Sequence, residues 1–322
     1  MTLYVNNRSA MRFWCMVATS INESTSASSI VSVDNADTSL HSCIAALPDS
    51  TGISLPVHLL VSRASQRSKS PGIVCHVRTT PYPAGAFRRF SPIVLVASPE
   101  LCFFEMASEL SFFKLVEFGF ILCGTYTLNP DAPSKNNREP LTNKRKLGLF
   151  INRMGITRGC DIARKALDCI IEGSASPRET KLALLLCATV KQGGYGFEQP
   201  LLNYQIDFTQ EERLLYGRDC VVLDLYWKDL HFGIEYDGGK GHSEEEDVSS
   251  DRRRDSELMC CGITIIRADK KQLANPYQVY VLARKCARLM GKKMRKPTAG
   301  QWENKQKLFN EIMRPSRKRA GE

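Results

Sequence analysis

The sequence predicts an α/β protein: a mixed central sheet flanked by helices in the larger C-terminal part, with a smaller α+β domain before it. Three observations predict it. Two short strand patterns, VVLDLYW (221–227) and FGIEYDG (232–238), flank the polar turn Lys228-Asp229 and read as a hairpin of half-buried strands. A helix start signalled by Ser249 or Ser250 and ended by Gly262 leads into a third strand pattern, ITIIR (263–267). Upstream, Ser176-Pro177-Arg178-Glu179 opens a helix that carries the apolar run LALLLCATV (182–190).

The remaining elements follow in chain order. Residues 20–50 are rich in Ser, Thr and Asn with little periodicity, which suggests loop. From Gly72 to Val96 the β-like runs IVCHVR and IVLVA are broken by Pro81, Pro83, Gly85 and Pro92. Ser98-Pro99-Glu100 is a cap-and-proline signal, and helices are expected over 99–110 and 112–123. Residues 129–146, with Pro130, Pro133, Pro140 and several basic residues, read as a connector between an N-terminal region (1–128) and the larger domain (147–291). Asn275-Pro276 starts a helix that runs to Gly291, and 292–322 reads as a basic tail.

The hairpin carries the chemistry. Side chains alternate along a strand, so an even-numbered loop puts Leu223, Leu225 and Ile234 on the core face and Asp224, Glu235 and Asp237 on the opposite one. Carboxylates held so close repel unless a cation or a retained proton offsets them, and an all-oxygen set suits Mg²⁺ or Mn²⁺. The competing reading makes them solvent-facing acids of an edge hairpin. After the hairpin, Gly238-Gly239-Lys240-Gly241-His242 forms a turn that brings backbone close to a ligand. His242 serves there as general base or phosphate donor, or else caps local backbone. Asp251 and Arg254 fall on one helix face as a structural pair, leaving Arg252 and Arg253 to reach phosphate.

The order strand, strand, helix, strand is that of a restriction-endonuclease-like core. Asp224, Glu235-x-Asp237-Gly238, His242, Asp251-x-x-Arg254, Leu258 and Gly262-x-x-x-x-Arg267 resemble the very-short-patch-repair-endonuclease-like family of the PD-(D/E)XK nuclease superfamily. The resemblance implies Asp224 as central metal ligand, Glu235 as the second with the Tyr236 carbonyl, and Glu179 as the third, from the helix. It implies a Mg²⁺- or Mn²⁺-dependent endonuclease that hydrolyses phosphodiester bonds in DNA. The superfamily's lysine two residues after the acid is Asp237 here, which leaves Lys240 or His242 to supply the positive charge. Glu179 equally reads as half of a capping box with Ser176. The N-terminal region resembles the regulatory regions of abortive-infection-type antitoxins. The second functional class is therefore a non-catalytic nucleic-acid-binding regulator that keeps a nuclease shape.

Composition narrows the classes further. The chain has 322 residues, 43% of them hydrophobic, more than one average domain holds. Net charge is +10, and from Arg267 onward sixteen Lys or Arg stand against four Asp or Glu. Such a surface attracts polyphosphate, with Lys270, Lys271, Arg284 and Arg288 as candidate DNA contacts beside Arg252 and Arg253; the alternative is a solvated tail. Glu100, Glu105 and Glu109 interrupt the best apolar stretch, and no leader pattern is evident, so neither membrane insertion nor secretion is expected and the address is cytoplasmic. The twelve cysteines include no C-x-x-C pair and read as reduced core residues.

Overall fold

Runs rich in Val, Ile, Leu and Phe form the strands of two sheets, one in each half of the chain. The computed structural model describes residues 2–17, 33, 36–128, 138–237 and 254–313. The chain divides into two compact units, Met1–Ile170 and Ile171–Glu322.

The first unit holds a five-stranded mixed sheet in the order β3-β2-β1-β5-β4, from β1 (Leu3–Val5), β2 (Val57–Val61), β3 (Ile73–Val77), β4 (Phe87–Ser91) and β5 (Val94–Ala97). Helix α1 (Asn7–Met16) follows β1 and buries Phe13 and Trp14; the Trp14 indole donates to the Ala97 carbonyl at 2.7 Å. The stretch expected to be loop contains helix α2 (Leu40–Ala46), capped by the Ser39 hydroxyl. Ser98 caps α3 (Pro99–Met106) with Pro99 in its first turn, and α4 (Phe112–Cys123) buries its apolar residues almost all round. Helix α4 lies where the sequence places it, and α3 starts at the expected proline but ends at Met106, short of the expected residue 110.

The unit continues past the expected connector, of which 129–137 lie outside the described residues. Buried Arg138 donates to the carbonyls of Trp14, Val17 and Ile121, which ties the chain back to α1 and α4. Helices α5 (Lys144–Arg153) and α6 (Cys160–Cys169) then pack on α3 and α4. Leu147, Phe150 and Ile151, with Ala163 and Ala166, supply the apolar stripes, so both helices belong to the first unit and the division falls after them.

The second unit begins with α7 (Pro177–Cys187), capped by the Ser176 hydroxyl on the Glu179 amide. Three antiparallel strands follow: β6 (Leu201–Asp207), β7 (Cys220–Trp227) and β8 (Phe232–Tyr236). Helix α8 (Gln210–Tyr216), with a Thr209–Glu212 capping box, lies between β6 and β7. Residues 254–260 are helical (α9), and β9 (Thr264–Ala268) returns parallel to β8. The sheet order is β6-β7-β8-β9. Strand β8 is an inner strand between β7 and β9, and its residues Phe232 to Glu235 are buried on both faces rather than half-buried. Leu258 of α9 packs with Val221, Leu223 and Ile263, and Gly262 ends the helix at φ +73°.

Helix α10 (Pro276–Leu289) starts on an Asn275 cap. The segment expected to be a tail contains α11 (Ala299–Met313), which buries Lys305, Leu308, Phe309 and Ile312. Its apolar positions at three- and four-residue spacing sit among enough charge to hide them in a composition count. Residues 314–322 of the expected tail lie outside the described residues. All twelve cysteines are free thiols, and Cys43, Cys102, Cys123, Cys160 and Cys286 are buried. Among the described residues no helix is long and apolar enough to cross a membrane.

Candidate functional site

A row of polar side chains crosses the second sheet. The hairpin loop holds four residues, Lys228 to His231, with His231 in the left-handed region at φ 44°. Leu225 therefore pairs with Ile234, and one step further the register sets Asp224 opposite Glu235. On the other side, the pairs Leu202 with Leu225 and Tyr204 with Leu223 set Asn203 opposite Asp224. Glu235 in turn pairs with Arg267 of β9. The four strands thus contribute Asn203, Asp224, Glu235 and Arg267 at one level.

Two helices add to this row. From the first turn of α7, Glu179 is 6% exposed and accepts from the Asn203 amide at 2.6 Å and from the Ala175 backbone amide at 2.9 Å. Ser176 therefore caps the helix while the Glu179 carboxylate turns toward Ala175 and the row, so the reciprocal bond of a capping box is not the one it makes. From α9, Arg254 lies 2.6 Å from one Glu235 oxygen and donates to the Val222 carbonyl. Arg267 lies 3.4 Å from the other Glu235 oxygen and also binds Asp255 at 2.8 Å. Asn203 holds φ 48°, a conformation Asn tolerates better than most residues, and it links Glu179 to the Gly173 carbonyl.

The electrostatics follow from burial. Asp224 accepts the Tyr236 amide at 2.6 Å, yet burial, with repulsion from Glu179 and Glu235 behind it, raises its pKa to about 6. Glu235 is 7% exposed and is matched by two guanidiniums, the arrangement a buried carboxylate needs. Among the described residues no three His, Cys, Asp or Glu side chains gather as a group that could hold a metal ion. Among the described residues no guanidinium lies at ion-pair distance from Asp224 or Glu179, which remain as oxygen donors.

Of the expected ligands, Glu179 and Glu235 both lie close enough to Asp224 to repel its charge, without the three forming a metal-holding group. Asp237 follows β8, is exposed, and its amide donates to the Ala268 carbonyl at 2.7 Å. Lys240, His242, Arg252 and Arg253 lie outside the described residues, as does Asp251, the expected partner of Arg254. Lys270 and Lys271 are exposed in the turn after β9, and Arg284 and Arg288 are exposed on α10. Sequence reasoning missed Asn203, because β6 was not recognised as a strand. It also missed Arg178, whose guanidinium donates to the Tyr236 hydroxyl at 2.9 Å. No family model, curated protein or solved structure matches this chain.

Proposed function

We propose that the second unit is a restriction-endonuclease-like core that hydrolyses phosphodiester bonds in DNA with the help of a divalent cation. One observation carries the reading: half-buried Asp224 on a strand feels the charge of Glu179 on a helix and of Glu235 on the adjacent strand, and burial with that repulsion pushes it toward neutrality. Burying like charges together is unfavourable without a counter-charge, and such perturbation clusters at functional sites. A helix, three antiparallel strands with α8 between the first two, a helix and a parallel strand support the same reading.

The residues fit such a cation in donor type and number. Mg²⁺ keeps several waters and commonly takes one or two carboxylates together with substrate phosphate, so Asp224 and Glu179 suffice. When bound, the cation lowers the pKa of a water and polarises the phosphate. Arg254 and Arg267, held by Glu235 and Asp255, place positive charge beside the same row, where it favours an approaching phosphate. Asn203 fixes the Glu179 carboxylate, and the Tyr236 amide fixes that of Asp224. Lys240 or His242 supplies the remaining positive charge next to the hairpin.

A second reading, a nucleic-acid-binding regulator without catalysis, is favoured by the two guanidiniums on Glu235, which occupy an oxygen each. Calorimetry with MnCl₂ or MgCl₂, with and without a duplex oligonucleotide, separates the two. The nuclease reading expects cation binding in the wild type, its loss in Asp224→Ala, and cation-dependent nicking of plasmid DNA that the variant lacks. Absence of cation binding both with and without DNA would leave only the regulator.

A further inference from the structure

A second pocket, built by other residues of the same unit, has the composition of a nucleotide site. It is a cavity of about 260 Å³ lined by Tyr195, Tyr280, Lys293, Arg295 and Lys305 among others. Lys305 decides its chemistry. Although only 5% exposed, its ammonium makes one hydrogen bond among the described residues, to the Gly194 carbonyl at 2.7 Å, and sits 3.7 Å above the Tyr195 ring. An ammonium has three N–H donors, and a buried charge is costly unless paired. Burial lowers the pKa of Lys305 to about 8, with no carboxylate opposing that shift. Among the described residues, therefore, the cavity holds a buried cation that no carboxylate neutralises, and its lining adds two exposed cations, Lys293 and Arg295, instead of an acid.

An anion is the ligand this lining fits, and the aromatic walls say which kind. Tyr280 belongs to a small aromatic cluster, with Trp302 edge-on at 6.0 Å and Arg284 5.8 Å from its ring centroid. Tyrosine rings beside several cations are the means by which proteins hold a base and its phosphate without reading sequence. We propose that this pocket binds a nucleoside phosphate, with the phosphate at Lys305, Lys293 and Arg295 and the base against the tyrosines. The same chemistry arises from a free nucleotide or from one unit of a single strand. The proposal is independent of the carboxylate row, since none of its residues belongs to that row.

Titration calorimetry on the full chain tests it with four probes: AMP, ribose 5-phosphate, inorganic phosphate and a short oligothymidylate. AMP is expected to bind more tightly than ribose 5-phosphate and inorganic phosphate. Tyr280→Leu is expected to weaken AMP about tenfold through lost stacking, and Lys305→Met at least about tenfold through the lost charge-assisted bond. If Lys305→Met does not fold, judged by circular dichroism, the exposed pair Lys293→Ala with Arg295→Ala replaces it and must also weaken AMP. Tighter oligothymidylate than AMP, with the same dependence on Tyr280, identifies a strand as the source; the reverse order identifies a free nucleotide. The proposal is overturned if neither AMP nor oligothymidylate binds, if inorganic phosphate binds as tightly as AMP, or if the substitutions leave affinity unchanged. Asp224→Ala should leave AMP binding intact, so failure of the nuclease reading and failure of this one are told apart.

Discussion

Asp224 shows how its surroundings treat a charge, and an amide in place of its carboxyl measures the effect. Its folded pKa of about 6 lies above the ordinary 3.8, so the folded state holds the proton more tightly than the unfolded chain. Stability therefore falls as pH rises from about 4 to about 6, and the full cost of the charge persists above that. Asp224→Asn keeps an oxygen for the Tyr236 amide and removes the charge. It should stabilise the protein by about 1–3 kcal/mol at pH 7.5, with the gain vanishing near pH 4. Denaturant melts at the two pH values check this; an equal effect at both would show that burial and the neighbouring acids are not what raises the pKa. The acids of the hairpin were legible in the sequence because a strand's two-residue alternation fixes their face. The pairing of Glu235 with Arg254 and Arg267 was not, since those residues are 19 and 32 positions further along the chain.

At the scale of elements, the end of α7 and helix α11 meet around two glycines. Gly193 adopts φ +99°, and a Cβ there would run into the Asn304 carbonyl; a Cβ on Gly194 would run into the Ala188 carbonyl. Backbone cannot yield as a flexible side chain does, so Gly194→Ala should cost about 1–3 kcal/mol. Because Lys305 bonds the Gly194 carbonyl, the same change should also disturb the pocket beside Tyr195. A lowered melting temperature with weakened AMP binding is the expected outcome, and an unchanged melt would show that the close approach is not maintained in solution. Capped helices such as α3, α7 and α10 were readable because Ser98, Ser176 and Asn275 each precede a proline. Strand β6 was not, because Leu201, Asn203 and Gln205 alternate only weakly against Leu202 and Tyr204, with exposed Leu201 on the polar side. Its place in the sheet comes from pairing with β7.

For the whole molecule, each unit has its own sheet and its own buried core. Differential scanning calorimetry should resolve two transitions. Asp224→Asn should move one of them and leave the other in place, whereas a single transition displaced as a whole would refute independent unfolding. Charge divides along the chain as well: the residues from Arg267 onward hold sixteen of the 44 basic residues and only four of the 34 acidic ones. The pocket cations Lys293, Arg295 and Lys305 come from this stretch.

The sequence by itself determined the local facts of this protein: which runs are strands with one acid on a chosen face, where proline and a capping hydroxyl start a helix, and where positive charge collects. These depend on neighbours within a few residues, which composition and periodicity record. Only the tertiary structure decided that α5 and α6 close the first unit, that α11 is a packed helix rather than a tail, and that Asn203, Asp224, Glu235 and Arg267 form one row. It also decided that Lys305 is buried over Tyr195. Each of these depends on strand register or on the meeting of distant apolar stripes, and the energy that selects them belongs to pairs of surfaces rather than to either segment alone.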